Sequence, residues 1–155
     1  MNEVSVFTET KQYIKISMGE ELFGIDISYV DNIVRMQRMT RVPNVALYIK
    51  GVINLRGEII PIMSLRLKMG LEEAEETKAT RIIIVKMEQY GKIGMIVDAV
   101  KEVVSLSEEQ IDKMVYDSKD ETVHYVTAVG KVEESLISLL DLNVVTMEKA
   151  AREEV

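Results

Sequence analysis

The chain has 155 residues, of which 47% are hydrophobic and 29% are charged, so a folded globular protein is expected over most of its length. It has no cysteine, which excludes disulfides and thiolate metal sites and agrees with a reducing compartment. The formal net charge of −7 would repel a phosphate backbone, so we expect no nucleic-acid partner.

The apolar stretches are too short for a membrane-spanning helix. Ile93–Val100 is interrupted by Asp98 and falls short of the roughly 20 apolar residues that a bilayer requires. Met1–Gln12 lacks the cationic and apolar runs of a secretion signal. We therefore expect a cytoplasmic protein with no direct membrane insertion.

Four runs of alternating apolar and polar residues predict two β-hairpins in the first half of the chain. They are Gln12–Met18 with Leu22–Ile27, and Val52–Asn54 with Ile59–Met63. The second hairpin turns at Leu55-Arg56-Gly57-Glu58. Because Pro61 cannot donate a ladder hydrogen bond, we expect its strand to lie at an edge or to be bulged there.

A short helix is predicted after the first hairpin of each half. Ser28 followed three residues later by Asp31 resembles a capping box, and Asp98 can cap the second helix. The apolar residues at helical spacing are Val30, Ile33 and Val34 in the first half, and Val100, Val103 and Val104 in the second.

The order of elements repeats after the glutamate-rich stretch Leu71–Ala79, which is the best candidate boundary. The matching segments are Gly24–Val34 with Gly94–Val104, and Ile60–Leu65 with Ile137–Leu142. We predict a β subdomain over 12–79 and a second over 80–152, with residues near the N-terminal strand able to pair with the second. We also predict a polar loop over Asp112–His124 and a helix over Asp141–Arg152.

No motif for catalysis or cofactor binding is visible. His124 is the one histidine of the chain, and nearby acids only weakly suggest a metal site. No serine lies in a nucleophile-elbow sequence, and no glycine-rich loop for phosphates is present. We expect no enzyme, no metal and no cofactor, and a hydrolase stays open only through residues far apart in sequence.

Arginines recur at every third position between the predicted first helix and second hairpin. Arg35, Arg38 and Arg41 alternate with Met36, Met39 and Val42, which gives a basic strip in an acidic protein. The strip is either a solvated strand face or a protein-contact surface, since arginine is favoured in interfaces.

Three segments of the first half resemble the CheW family, namely Phe23–Ile27, Val42-Pro43-Asn44 and Tyr48–Pro61. Gly94–Val104 and Leu139–Leu142 are also similar to its pattern. The resemblance implies a mainly β fold of two intertwined SH3-like five-stranded β-barrels, with short helices and a C-terminal helix. It also implies a non-catalytic adaptor that couples transmembrane chemoreceptors to the histidine kinase CheA in signalling arrays.

The same resemblance implies two docking surfaces. Receptor tips would bind an apolar groove between the barrels, at Val30, Ile33, Gly51, Asn54, Arg56, Ile82, Val100 and Val103. The regulatory domain of CheA would bind the end of the first barrel, at Val42, Pro43 and Leu55. Val30 with Val100, and Ile33 with Val103, would lie on two equivalent helices that face one seam.

Other interpretations stay open at this point. Arg56 either contacts the receptor or anchors its hairpin by hydrogen bonds to carbonyls. Asn32 and Ser64 stand where many family members have acids, so ion pairs made by those acids are not expected here. The alternative function is a CheW-like adaptor for a non-chemotaxis two-component pathway. We expect the isolated protein to be a monomer.

Overall fold

The computed structural model describes residues 9–116 and 124–147, which form strands in two sheets with two short helices. The strands are β1 (Thr10–Met18), β2 (Glu21–Asp26), β3 (Val30–Arg35), β4 (Ile49–Leu55), β5 (Glu58–Ser64), β6 (Arg81–Met87), β7 (Gly91–Val97), β8 (Ala99–Ser107), β9 (Ile111–Lys113), β10 (Val126–Val132) and β11 (Ser135–Leu140). The α-helices are α1 (Leu65–Lys68) and α2 (Leu142–Val145), and one-turn 3-10 helices cover Ile27–Tyr29 and Glu108–Gln110.

Each sheet takes a hairpin from the other half of the chain. One sheet has the order β3-β6-β7-β5-β4, and the other has β8-β1-β2-β11-β10-β9. The β6–β7 hairpin thus completes the strands of the first half, and the β1–β2 hairpin completes those of the second. We call the two units barrel 1 and barrel 2, respectively.

The chain connects the two edges of each sheet. After edge strand β3, Thr40 exchanges backbone hydrogen bonds of 2.9 and 2.8 Å with Val52 on β4, the opposite edge. After edge strand β8, β9 pairs with β10 in the same manner. Both sheets are therefore closed like small barrels, and the predicted mainly β fold with an internal twofold repeat is confirmed.

Two glycines occupy equivalent positions at the centres of the barrels. Gly94 lies opposite Ile62 in the parallel pair β5–β7, and Gly24 lies opposite Leu139 in the parallel pair β2–β11. A Cβ on Gly94 would lie 2.5 Å from Ile62 Cδ1, and one on Gly24 would lie 2.8 Å from Leu139 Cδ2. The matching glycines of the sequence repeat therefore leave room for a side chain of the neighbouring strand.

The buried side chains form one central core between the barrels and a smaller core inside each. Alternation along β6 shows the division: Ile83, Val85 and Met87 face the central core, whereas Ile82 and Ile84 face the interior of barrel 1. Strands from both halves contribute to the central core, so the barrels are packed against each other by apolar burial.

The two predicted short helices are wrong, because both segments are edge strands. In β3 the pairing with β6 shifts by one residue between Val30 and Asn32, and in β8 the pairing with β1 shifts between Val100 and Val103. Such a β-bulge lets apolar residues three apart face the same side of a strand. Their spacing therefore imitates that of a helix.

Other predicted elements differ in smaller ways. The hairpin turn at 55–58 is present, but β5 is not an edge strand, since it lies between β4 and β7. Its ladder to β7 begins at Ile62, directly after Pro61. The predicted loop from Asp112 begins within β9, and the predicted C-terminal helix contains α2, while 117–123 and 148–152 lie outside the described residues.

The connector 71–79 has neither helix nor strand, as expected of its crowded glutamates. Within the described ranges, no helix is long and apolar enough to cross a membrane.

Ser64 caps α1 by accepting the Leu67 N–H at 3.2 Å, and Asp141 caps α2 by accepting the Asn143 N–H at 3.1 Å. Ser64 thus serves as the N-cap of α1.

Candidate protein-docking surfaces

The bulged edge strands carry four apolar residues on the same side as the central core. Val30 and Ile33 on β3 lie opposite Val85 and Ile83, and Val100 and Val103 on β8 lie opposite Ile16 and Ile14. All four partners belong to the central core, and cross-strand partners share one face of a sheet. We call Val30, Ile33, Val100 and Val103 the seam residues.

The seam residues differ in how far they are exposed. Val30 and Val100 are half-buried and pack against the central core. Ile33 and Val103 are 36% and 48% exposed. The structure therefore places each pair on the side of its sheet that faces the central core, and Ile33 and Val103 are open to a partner.

An ion-pair group joins the start of β3 to the β4–β5 turn. Lys92 Nζ lies 2.9 Å from Glu58 Oε1 and 3.4 Å from Asp31 Oδ2. The hydrogen bond that Lys92 donates to Glu58 raises the pKa of this lysine, so its ammonium stays charged. Glu58 directly follows the Arg56-Gly57 turn, which places this turn at the same end of barrel 1 as the start of β3.

The β4–β5 turn has the geometry of a tight hairpin. Arg56 and Gly57 both have positive φ, 55° and 87°, as a two-residue type I′ turn requires. The Asn54 side chain accepts the Gly57 N–H at 2.9 Å, so it stabilises the turn. Arg56 is exposed, and no hydrogen bond or ion pair links its side chain to any residue in the described ranges. The anchoring interpretation of Arg56 therefore has no contact to support it.

Two of the predicted groove residues are buried. Ile82 is fully buried inside barrel 1, because β6 turns alternate residues toward the barrel interior and the central core. Gly51 is also buried, and a Cβ there would lie 2.5 Å from the carbonyl oxygen of Thr40. Neither position is open to a partner, because Ile82 faces the interior of barrel 1 and Gly51 lies against the backbone of Thr40.

Two of the predicted kinase-side residues lie in the loop before β4, and the third lies at the end of β4. Val42 and Pro43 are exposed and line, with Leu47, an open cavity of about 470 Å³ in the loop before β4. Leu55 lies at the other end of β4, half-buried against the core of barrel 1. The structure thus brings Val42 and Pro43 together and leaves Leu55 beside the Arg56 turn.

Four strongly exposed apolar residues belong to neither predicted surface, and one of them, Val115, is 92% exposed in the segment after β9. Leu47 is 89% exposed in the loop of Val42 and Pro43, and Ile59 and Leu136 are 62% and 63% exposed at equivalent positions of β5 and β11. Leu136 and Ile137 are adjacent apolar residues, as are Ile59 and Ile60, so alternation forces one of each pair outward. That pattern is the sequence signal for Ile59 and Leu136.

Among the described residues, no cluster of histidine, cysteine, aspartate or glutamate could hold a metal ion. The surfaces available are apolar or charged patches. Such surfaces fit the binding of proteins.

Comparison with known proteins gives one consistent match. The model of the CheW-like domain matches residues 12–149. The chain is 33% identical to "Chemotaxis protein CheW" of Bacillus subtilis (strain 168) over 148 residues, covering 96% of this chain and 94% of that protein. It is 33% identical to the Klebsiella aerogenes protein of the same name over 135 residues, covering 87% and 81%.

A solved structure agrees with this match. The crystal structure of the scaffolding protein TtCheW from Thermoanaerobacter tengcongensis is similar with a TM-score of 0.80 and 34% sequence identity. The similarity covers 88% of this chain and 92% of that one.

Proposed function

The chain belongs to the CheW-like domain family, and from this premise we propose that it couples the cytoplasmic tips of transmembrane chemoreceptors to the histidine kinase CheA. A scaffold or adaptor role in chemotaxis follows from the family. The specific partners, a cytoplasmic location with recruitment to receptor arrays, and the absence of catalysis are the proposal. The observation that carries it is the pair of bulged edge strands that present the seam residues.

The receptor surface consists of the seam residues, together with Asn54 and Arg56. A receptor tip that packs its apolar side chains on Ile33 and Val103 would remove their exposed area from water, at roughly 25 cal/mol per Å². Arg56 lies at the same end of barrel 1, has no partner in the described ranges and can donate to carboxylates or carbonyls of the receptor.

The kinase surface is the loop before β4. Val42, Pro43 and Leu47 present apolar atoms on a loop whose ends are fixed by the Thr40–Val52 bridge and by β4. Because this loop is already held in place, binding would involve little ordering. The loop lies on barrel 1, whereas the seam residues lie on strands of both barrels, so the two partners can bind at the same time.

Two charge substitutions at exposed positions test this division. We expect Val103→Asp to weaken receptor binding at least about tenfold and to leave kinase binding within about twofold, because a charge would be desolvated at the seam. Leu47→Asp should do the opposite. Val115→Asp is the matched control, since Val115 is 92% exposed and belongs to neither surface. Titration calorimetry with the receptor fragment and with the kinase regulatory domain measures both affinities.

Equal losses for both partners in Val103→Asp would contradict separate surfaces. Val103→Asp is preferable to Val100→Asp, because Val100 packs against the central core and a charge there would also unfold the protein. Failure to bind chemoreceptors, with retained binding to a different histidine kinase, would favour an adaptor of a non-chemotaxis pathway.

A further inference from the structure

The arginine strip, defined as Arg35, Arg38 and Arg41, is a charged surface to which the proposed function gives no role, and its last residue borders the cavity lined by Val42 and Pro43. All three side chains are exposed, whereas Met36 and Met39 between them pack against the core of barrel 1. The Thr40–Val52 bridge holds the strip beside β4, running antiparallel to it. The methionines therefore fix the segment, and the arginines point away from the core.

The acids of this chain do not neutralise the strip. Across 9–116 and 124–147, acids of the chain pair with several basic side chains, among them Lys15 with Glu102 and Lys50 with Glu73. No ion pair or hydrogen bond involves the side chains of Arg35, Arg38 or Arg41 in the same ranges. Glu75 and Glu76 line a cavity of about 140 Å³ with the strip's two methionines, and they make no ion pair with its arginines.

One arginine of the strip lies across the β-ladder from another arginine. Arg35 lies directly opposite Arg81 in the β3–β6 ladder. Like charges at such positions repel each other, and Arg81 turns its guanidinium to the carbonyl oxygens of Lys78 and Thr80, each at 2.8 Å. The equivalent pair in barrel 2 is neutral, with Gln12 opposite Ser105. The repulsion is therefore a property of barrel 1 and is not required by the fold.

We propose that the arginine strip is a docking surface for a carboxylate-rich segment of a partner protein. Guanidinium groups bind carboxylates at two points, and an anion between Arg35 and Arg81 would cancel their repulsion. The three arginines span at most about 20 Å of chain, which suits an extended acidic peptide. Nucleic acid is disfavoured because the net charge of −7 repels a phosphate backbone at longer range.

The test uses a defined probe and two variants of equal charge. The probe is a fluorescein-labelled peptide of alternating glutamate and alanine, about eight residues long so that it spans the strip. R35Q/R38Q/R41Q removes the strip, and K86Q/K101Q/K113Q removes three exposed lysines on β6, β8 and β9. Fluorescence anisotropy at about 20 mM and about 200 mM NaCl gives the affinities and their dependence on screening.

We expect the arginine variant to bind the peptide about tenfold more weakly than wild type, and the lysine variant within about twofold. Wild-type binding should weaken at the higher salt concentration. R35Q, which removes the like-charge pair, should leave the thermal unfolding midpoint unchanged or raised while it weakens binding. Equal losses in both triple variants would overturn the proposal, as would tighter binding of a single-stranded oligonucleotide of equal charge. The probe contains no receptor or kinase sequence, so this result is independent of the proposed function.

Discussion

Arg66 and Asp98 form a two-point ion pair that joins the halves of the chain. Arg66, on α1, donates from Nε to Asp98 Oδ1 at 2.9 Å and from Nη2 to Oδ2 at 2.8 Å. Asp98, between β7 and β8, also accepts the Gly19 N–H at 2.7 Å from the β1–β2 turn. The Asp98 carboxylate thus links α1 and the β1–β2 turn to the segment between β7 and β8, where the chain passes from barrel 1 to barrel 2.

This ion pair predicts a loss of stability in acid. The hydrogen bond from Arg66, helped by the one from Gly19, holds the pKa of Asp98 below its ordinary value of 3.8. Because the folded state lowers this pKa, its stabilisation is fully present above the unfolded value and is lost as the pH falls through the folded value. Asp98→Asn should lower the free energy of unfolding by about 1–3 kcal/mol at pH 7 and by less near pH 3.

The matched control is Asp112→Asn, which breaks an ion pair with Lys131 whose side chains are 62% and 54% exposed. Such a pair contributes at most about 1 kcal/mol. Urea unfolding followed by circular dichroism at several pH values measures both variants. An Asp98→Asn difference that is constant from pH 7 to pH 3 would contradict the role of the Asp98 charge.

The contact of Gly94 with Ile62 predicts a compensating pair of substitutions. Gly94→Ala should lower the free energy of unfolding by about 1–3 kcal/mol, because the new methyl meets Ile62 Cδ1 and Ile82 Cγ2 in a filled core. Ile62→Val removes the Cδ1 atom and by itself lowers stability by about 1 kcal/mol. In the Gly94→Ala background it should restore part of the lost stability, because the contact with Ile82 Cγ2 remains. Additive losses in a double-mutant cycle would show that the two positions do not interact in this manner.

Gly51 predicts a change in the closure of barrel 1. A Cβ at Gly51 would meet the backbone carbonyl of Thr40, which cannot rotate away as a side chain can. Gly51→Ala should therefore break the Thr40–Val52 bridge and lower the free energy of unfolding by about 2 kcal/mol. Hydrogen exchange of the Thr40 and Val52 amides measures the bridge, and unchanged protection of both would refute this role for Gly51. Gly57→Ala, where no atom lies within 4 Å of the added methyl, is the comparison.

The strands and the repeat were largely predictable from the sequence, because alternation reports burial directly. The matching of Gly24 with Gly94 predicted the twofold repeat, and the structure assigns both glycines the same contact. The exchange of hairpins between the barrels was not visible in the pattern, since pairing of strands distant in sequence depends on packing of the whole chain. Only the resemblance to the CheW family, which implies intertwined barrels, predicted this exchange.

The two wrongly predicted helices have one physical origin, which is that a β-bulge changes the period of a strand. Val30 and Ile33 are three residues apart, which is helical spacing, and the extra residue in β3 places both on one side of a strand. Ile82 was assigned to the groove, but neighbouring residues of β6 are buried on opposite faces, in different cores. In this run of four apolar residues, the sequence does not show which residue faces which core.

We propose that this chain binds a receptor and a kinase at separate surfaces. Sedimentation velocity of the chain with a chemoreceptor cytoplasmic fragment and the CheA regulatory domain tests it most directly. We predict a ternary complex, which Val103→Asp reduces to the pair with the kinase domain and Leu47→Asp reduces to the pair with the receptor fragment. Binding of the receptor fragment that displaces the kinase domain would contradict it.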